Sequence, residues 1–275
     1  MDIIQQAQSI VEGATLEEKL KPLKYTEINK TQVSFFIDNP GRNKNINFSS
    51  KQLKFPAKNK LATIEGAGIA LHFFANHELL AIEMMAMAIL KYPLQGEAGD
   101  HFRKGMISTI RDEQKHFTLY NQRMESLGIE FGDLPVNDFF WKQIHDCPTI
   151  ESFHAMMSLT FESANLDFAY YYKGIFKDCE DFETANILEI VLEDELRHVA
   201  AGWNYLNDFS TKSKKDIWDH YLSLLPGKIT PARAKGINFN CELRKRAGLN
   251  SHFINKIKNY KSDFNITNRN SWDSK

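Results

Sequence analysis

Cysteine is scarce in this 275-residue chain, which has only Cys147, Cys179 and Cys241. No two of them stand at C-x-x-C spacing, and their number is odd. A disulfide framework and a thiolate zinc site are therefore not expected, and a reducing, cytoplasmic setting is. The start of the chain lacks a basic-then-apolar pattern and has an acid at Asp2, so no secretory signal is expected. A long unbroken apolar run is missing too. The richest stretch, residues 61–90, is interrupted by His72, Asn76, His77, Glu78 and Glu83, which reads as too polar for a membrane span. No convincing strand pattern appears, so a sheet is not expected.

Net charge is close to zero, at −1, but unevenly spread. Residues 61–210 carry 24 acids and 10 bases, whereas residues 1–60 and 211–275 carry net charges of +4 and +9. Solvated helix faces account for most of this bias. A buried group of carboxylates in the centre would add to it. The hydrophobic fraction, 43%, is enough for a substantial core.

What the chain does have is helical periodicity. Four long helices are expected at about residues 63–91, 97–127, 149–176 and 181–209. Each is roughly 40 Å long at 1.5 Å per residue. Shorter helices are expected within residues 2–24, where Thr15-Leu16-Glu17-Glu18 resembles a capping box, and near 214–225, 243–247 and 253–260. Residues 25–60 read as an irregular arm with a turn at Pro40-Gly41-Arg42. The last dozen residues read as a disordered tail. The expected organisation is an N-terminal segment (1–60), an antiparallel four-helix bundle (61–210) and a basic extension packed on the bundle (211–275).

Glu-x-x-His occurs three times: Glu113/His116, Glu151/His154 and Glu195/His198. On a helix this spacing puts carboxylate and imidazole on one face, and chance alone gives about 0.6 matches, so number decides little. Position separates them. Glu151 falls in the first turn of its helix, where it complements the helix dipole. Glu113 and Glu195 fall mid-helix, within Asp-Glu-x-(Lys/Arg)-His. Each follows an apolar helix that contains an isolated acid, Glu78 or Glu83 in the first half and Glu162 in the second. A buried carboxylate needs a partner or a metal. Four glutamates and two neutral histidines carry −4, which two divalent cations would cancel. Oxygen and imidazole donors suit iron or manganese. Asp112 and Asp194, each beside its glutamate, are candidates to hold the histidine rings. His72, His77, His101 and His154 read as hydrogen-bonded core residues.

The halves together resemble the ferritin-like di-iron carboxylate superfamily. The stretches 75–83, 112–117, 131–135 and 194–199, with Pro40-Gly41-Arg42 and residues 228–247, are similar to one bacterial family of ferritin-like proteins of unknown function. Spacing alone leaves Glu78 and Glu83 open, because their separations from Glu113 bracket that between Glu162 and Glu195. The resemblance favours Glu78. It implies Glu78, Glu113, His116, Glu162, Glu195 and His198 as ligands of two iron ions, or of manganese or a mixed pair. Glu113 and Glu195 are the expected bridges. The expected activity is O2-dependent oxidation or hydroxylation of an unidentified small molecule or modified nucleotide, with an electron-donor protein. Among better-understood superfamily members, bacterial tRNA hydroxylases are nearest in style. Iron handling, or RNA binding without redox chemistry, is the alternative. Arg233, Lys235, Arg244, Lys245 and Arg246 are the candidate RNA-binding residues, because clustered bases supply phosphate affinity.

Overall fold

Local capping sets where the helices begin. The computed structural model describes residues 1–26, 34–51, 53–227 and 229–261. Helix α1 (Ile3–Glu12) starts with a capping box between Asp2 and Gln5, and α2 (Leu16–Lys19) with one between Thr15 and Glu18. Thr63 caps α3 (Ile64–Lys91), which stops just before Pro93. Helix α4 (Gly96–Ser126) ends in Gly128, whose φ of +79° is the left-handed turn that favours glycine. Next come α5 (Phe139–Gln143) and α6 (Ile150–Met156), the latter capped by Thr149. A six-residue π-helix, Met157–Glu162, continues α6 into α7 (Ser163–Asp178). Helix α8 (Phe182–Ser213) precedes three shorter helices: α9 (Ile217–Leu224), α10 (Cys241–Arg246) and α11 (Ser251–Asn259). Asp216, Asn240 and Asn250 cap these three.

The described residues contain no strand, only an isolated bridge between Phe48 and Val136. The fold is all-α. The expected tail lies in residues 262–275, outside the described residues, as does part of the 25–60 arm.

Contacts divide the chain into two compact units. The first comprises Met1–His145 with Gly174–Ile187. Here residues 92–95 fold α4 back along α3, and α1 packs on α3 with Ile3, Ala7, Ile10 and Val11 buried. By length and composition α3 is apolar enough to cross a membrane, contrary to the sequence expectation. Yet 89% of its most apolar window is buried inside the protein. The arm is pinned to this unit by Trp141 Nε1, which donates to Asp38 O at 2.8 Å, and by Gly41 N–H, which donates to Val11 O at 2.8 Å. Gly41 is needed there, since a Cβ would lie 1.9 Å from Glu12 O. Arg123 on α4 binds Asp181 and Glu183, both at 3.0 Å, which anchors the link that leads into α8.

The second unit comprises Asp146–Lys173 with Leu188–Lys275. Trp203, Trp218, Tyr221 and Phe253 form its aromatic centre, with ring centroids 5.1–5.6 Å apart. The C-terminal segment is stitched to α7 by a fully buried pair, Arg244 and Asp167. The guanidinium donates to both carboxylate oxygens at 2.7 and 2.9 Å and to the carbonyls of Asn240, Ser163 and Ala234. Asp167 also accepts from Gly236 N and Asn240 N. A buried charge left without its partner is costly, so Arg244→Met should destabilise the chain by roughly 3–5 kcal/mol. Urea unfolding measures this, and a loss under about 1 kcal/mol would show that the pair is dispensable.

Candidate metal centre

In the first unit, Glu78 on α3 meets Glu113 and His116 on α4. Glu78 stands midway along α3, and Glu113 just past the middle of α4. At 1.5 Å per residue both lie roughly 20–25 Å from the connecting turn, at matching heights. His116 Nδ1 is 3.2 Å from Glu113 Oε2 and 4.0 Å from Glu78 Oε2. The three side chains are at most 6% exposed, and each offers a ligand atom within 4.8 Å of the others.

The second unit repeats the arrangement with Glu162, Glu195 and His198. Their ligand atoms also lie within 4.8 Å of one another, and all three residues are buried. His198 Nδ1 is 3.5 Å from Glu195 Oε2. Asn165 Nδ2 donates to Glu195 Oε1 at 2.8 Å, while Oε2 makes no hydrogen bond among the described residues. Sequence reasoning passed over Asn165, although its place one helical turn after Glu162 puts it on the same helix face.

Glu162 closes the π-helix, where the sequence predicts ordinary α-helix. In this register Ser163 N–H reaches Ser158 O, five residues back. Met-Ser-Leu-Thr-Phe-Glu has no proline or glycine to announce the change. Single π turns inside α-helices occur frequently at functional sites.

Glu83 has a different role from Glu78. It is fully buried against two cations, with Lys19 Nζ at 2.8 Å and Arg42 Nη2 at 2.5 Å. Burial pushes the Lys19 ammonium below its usual range, and Glu83 pulls it back. This carboxylate therefore ties α2 and the arm to α3. The two neighbouring aspartates pair along their own helices: Asp112 lies 3.9 Å from Lys115, and Asp194 lies 2.5 Å from Arg197.

The third Glu-x-x-His is occupied differently. Glu151 accepts from Tyr205 OH at 3.4 Å, and the His154 ring lies against Tyr205, 4.6 Å between centroids. His72 accepts from Gly132 N–H at 3.1 Å and stacks on Phe131. His77 stacks on Phe140, and His101 is exposed. Burial lowers His72, His77 and His154 to about 4. In the C-terminal segment, Arg244 is spent on Asp167, Lys245 pairs with Glu242 and Arg246 with Glu193. Lys235 donates to the carbonyls of Lys258 and Tyr260.

Residues 4–255 match a family described as "Protein of unknown function (DUF455)". An uncharacterized protein of Haemophilus influenzae is 29% identical over 208 residues, covering 73% of this chain and 70% of that protein. No solved structure matches the chain.

The two acids of α3 should respond differently to neutralisation. Glu83→Gln leaves Lys19 and Arg42 buried without their counter-charge and should cost roughly 3–5 kcal/mol. Glu78→Gln removes one carboxylate from a cluster of them, so the metal-free chain should be equally stable or more so. Urea unfolding in chelator compares the two, and equal losses would contradict this division. Acid is a second test. His72 and His154 are neutral in the folded chain down to about 4, whereas the unfolded chain takes up their protons below about 6.5. Their stabilisation is complete above 6.5 and is lost as pH falls towards 4, by up to ~3 kcal/mol each. Replacing His154 with Gln should flatten that slope in urea midpoints measured from pH 7.5 to 4.5.

Proposed function

The chain belongs to this family of unknown function, DUF455, and within it we propose a ferritin-like dinuclear metal protein that acts as an O2-dependent oxidoreductase. The observation that carries the reading is the burial of two glutamate–glutamate–histidine triads, each with ligand atoms within 4.8 Å of one another. With its histidine neutral, each triad has a charge of −2, and one divalent cation cancels it. Burying such a charge uncompensated is costly. The donor set is carboxylate and imidazole without thiolate, which suits Fe(II) or Mn(II).

Glu78, Glu113 and His116 would hold one ion and Glu162, Glu195 and His198 the other. Bound, the two ions would supply dioxygen activation. The protein's own part is to fix the carboxylates and keep bulk water away, and the aromatic and aliphatic residues around the triads serve that. Phe117 beside the first triad is fully buried, and so is Leu159 in the segment that carries Glu162. Asn165 would orient Glu195 through its 2.8 Å hydrogen bond.

The proposed substrate is a small molecule or a modified nucleotide, with electrons from a donor protein. The resemblance to tRNA hydroxylases supports the nucleotide. The basic C-terminal segment supports it less, because Arg244 is fully buried and faces Asp167. Three cysteines without a disulfide fit a reducing, cytoplasmic setting.

Anaerobic loading of the purified chain with Fe(II) or Mn(II), followed by metal analysis, tests the ligand set. Two ions per chain are expected, and Glu113→Ala or His198→Ala should abolish loading. A variant that retains two ions would refute these assignments. The Fe(II)-loaded wild type should then consume dioxygen. Uptake with continued iron turnover and no organic substrate would point instead to iron handling.

A further inference from the structure

The π-helical segment is held by two hydroxyl groups, one within it and one on α9. Thr160 Oγ1 donates to Ala155 O, five residues back, at 2.8 Å, and also lies 2.7 Å from Tyr221 OH on α9. A threonine hydroxyl has one hydrogen. Because that hydrogen goes to Ala155 O, the Tyr221 O–H is the donor to Thr160. Burial raises Tyr221 above the usual phenol range, so the donated proton stays in place. Both residues are fully buried. Two close contacts flank this pair. Ser158 packs against Gly202 of α8, where a Cβ would fall 2.2 Å from Ser158 Cβ. Arg244 Nη2 donates to Ser163 O at 2.9 Å, immediately after the segment.

One extra residue in a helical turn rotates everything beyond it by about 100° relative to an unbroken α-helix. Glu162 is the last residue of the segment, so the register decides which way its carboxylate faces. We propose that Thr160 and Tyr221 are positioning residues: their hydrogen-bonded pair holds Met157–Glu162 in the π register and so keeps the Glu162 carboxylate with Glu195 and His198. This rests on the metal reading for its consequence, but the anchoring can be read without metal. It also assigns α9 a purpose, since the helix that follows the metal-binding helices controls the geometry of one ligand.

Two measurements on the full chain test this. The first is amide hydrogen exchange without metal. Thr160→Val keeps the shape of the side chain and removes the hydroxyl, and Tyr221→Phe removes only the donor. Both should speed exchange across residues 157–163, with α3 and α4 as protected as in wild type. Thr160→Ser keeps a hydroxyl and should restore wild-type protection. Unchanged exchange in both hydroxyl-deleted variants would overturn the anchor, whether or not the wild type takes up metal.

The second measurement is Mn(II) titration by calorimetry. Groups that orient metal ligands typically contribute 10–100-fold in affinity. Thr160→Val and Tyr221→Phe should therefore weaken one of two Mn(II) sites by at least tenfold and leave the other within about twofold, whereas Thr160→Ser, which keeps the hydroxyl, should bind both ions as the wild type does. Faster exchange with both affinities unchanged would show a purely structural pair and overturn the positioning role. A wild type that binds no Mn(II) would refute the metal reading and with it the role assigned to Glu162.

Discussion

An ionised carboxylate in a low-dielectric interior needs positive charge beside it, and that requirement arranges much of this structure. Glu83 is met by Lys19 and Arg42, which draws α2 and the arm onto α3. Asp167 is met by Arg244, which draws the C-terminal segment onto α7. In both cases a permanently charged guanidinium answers the acid, and the result is a fixed join. Around Glu113 and Glu195 the basic neighbour is an imidazole one turn away, at 3.2 and 3.5 Å. An imidazole is a weak counter-charge near neutral pH but a good metal donor. The kind of base opposite each buried acid thus separates structural carboxylates from candidate ligands.

That distinction explains what the sequence could and could not reveal. Helix boundaries were legible, because capping is local: Thr15 with Glu18, Thr63 before α3 and Thr149 before α6 all declare themselves within a single turn. Pairing of carboxylate with histidine was legible for the same reason, being a one-turn relation. Glu78 against Glu83 was not, since the cations that occupy Glu83 come from α2 and the arm, far back in the chain. The division of the chain into two compact units, each taking in segments from separate parts of the sequence, is likewise a product of long-range packing.

The π-helix was hidden for a further reason. Its six residues have ordinary helical propensities, and the groups that stabilise the altered register lie elsewhere: Tyr221 is 61 positions beyond Thr160, and Gly202 supplies the room for Ser158. Read alone, Tyr221 is one more apolar position on an amphipathic helix. The basic cluster at residues 244–246 is divided in a way that its sequence does not show. Its run of consecutive charges suggested a surface for phosphate, yet Arg244 turns inward while Lys245 and Arg246 pair with acids at the surface.

The Arg244–Asp167 contact also has a meaning in time. The two residues are 77 positions apart. At a synthesis rate of about 5–20 residues per second, Asp167 emerges on the order of 4–15 s before its counter-ion exists. During that interval α7 carries an acid it cannot bury cheaply, so the second unit has reason to stay open until Arg244 is made. The final segment then closes the unit as a cork closes a vessel. A chain broken off before Arg244 would leave the carboxylate exposed and mark itself as incomplete.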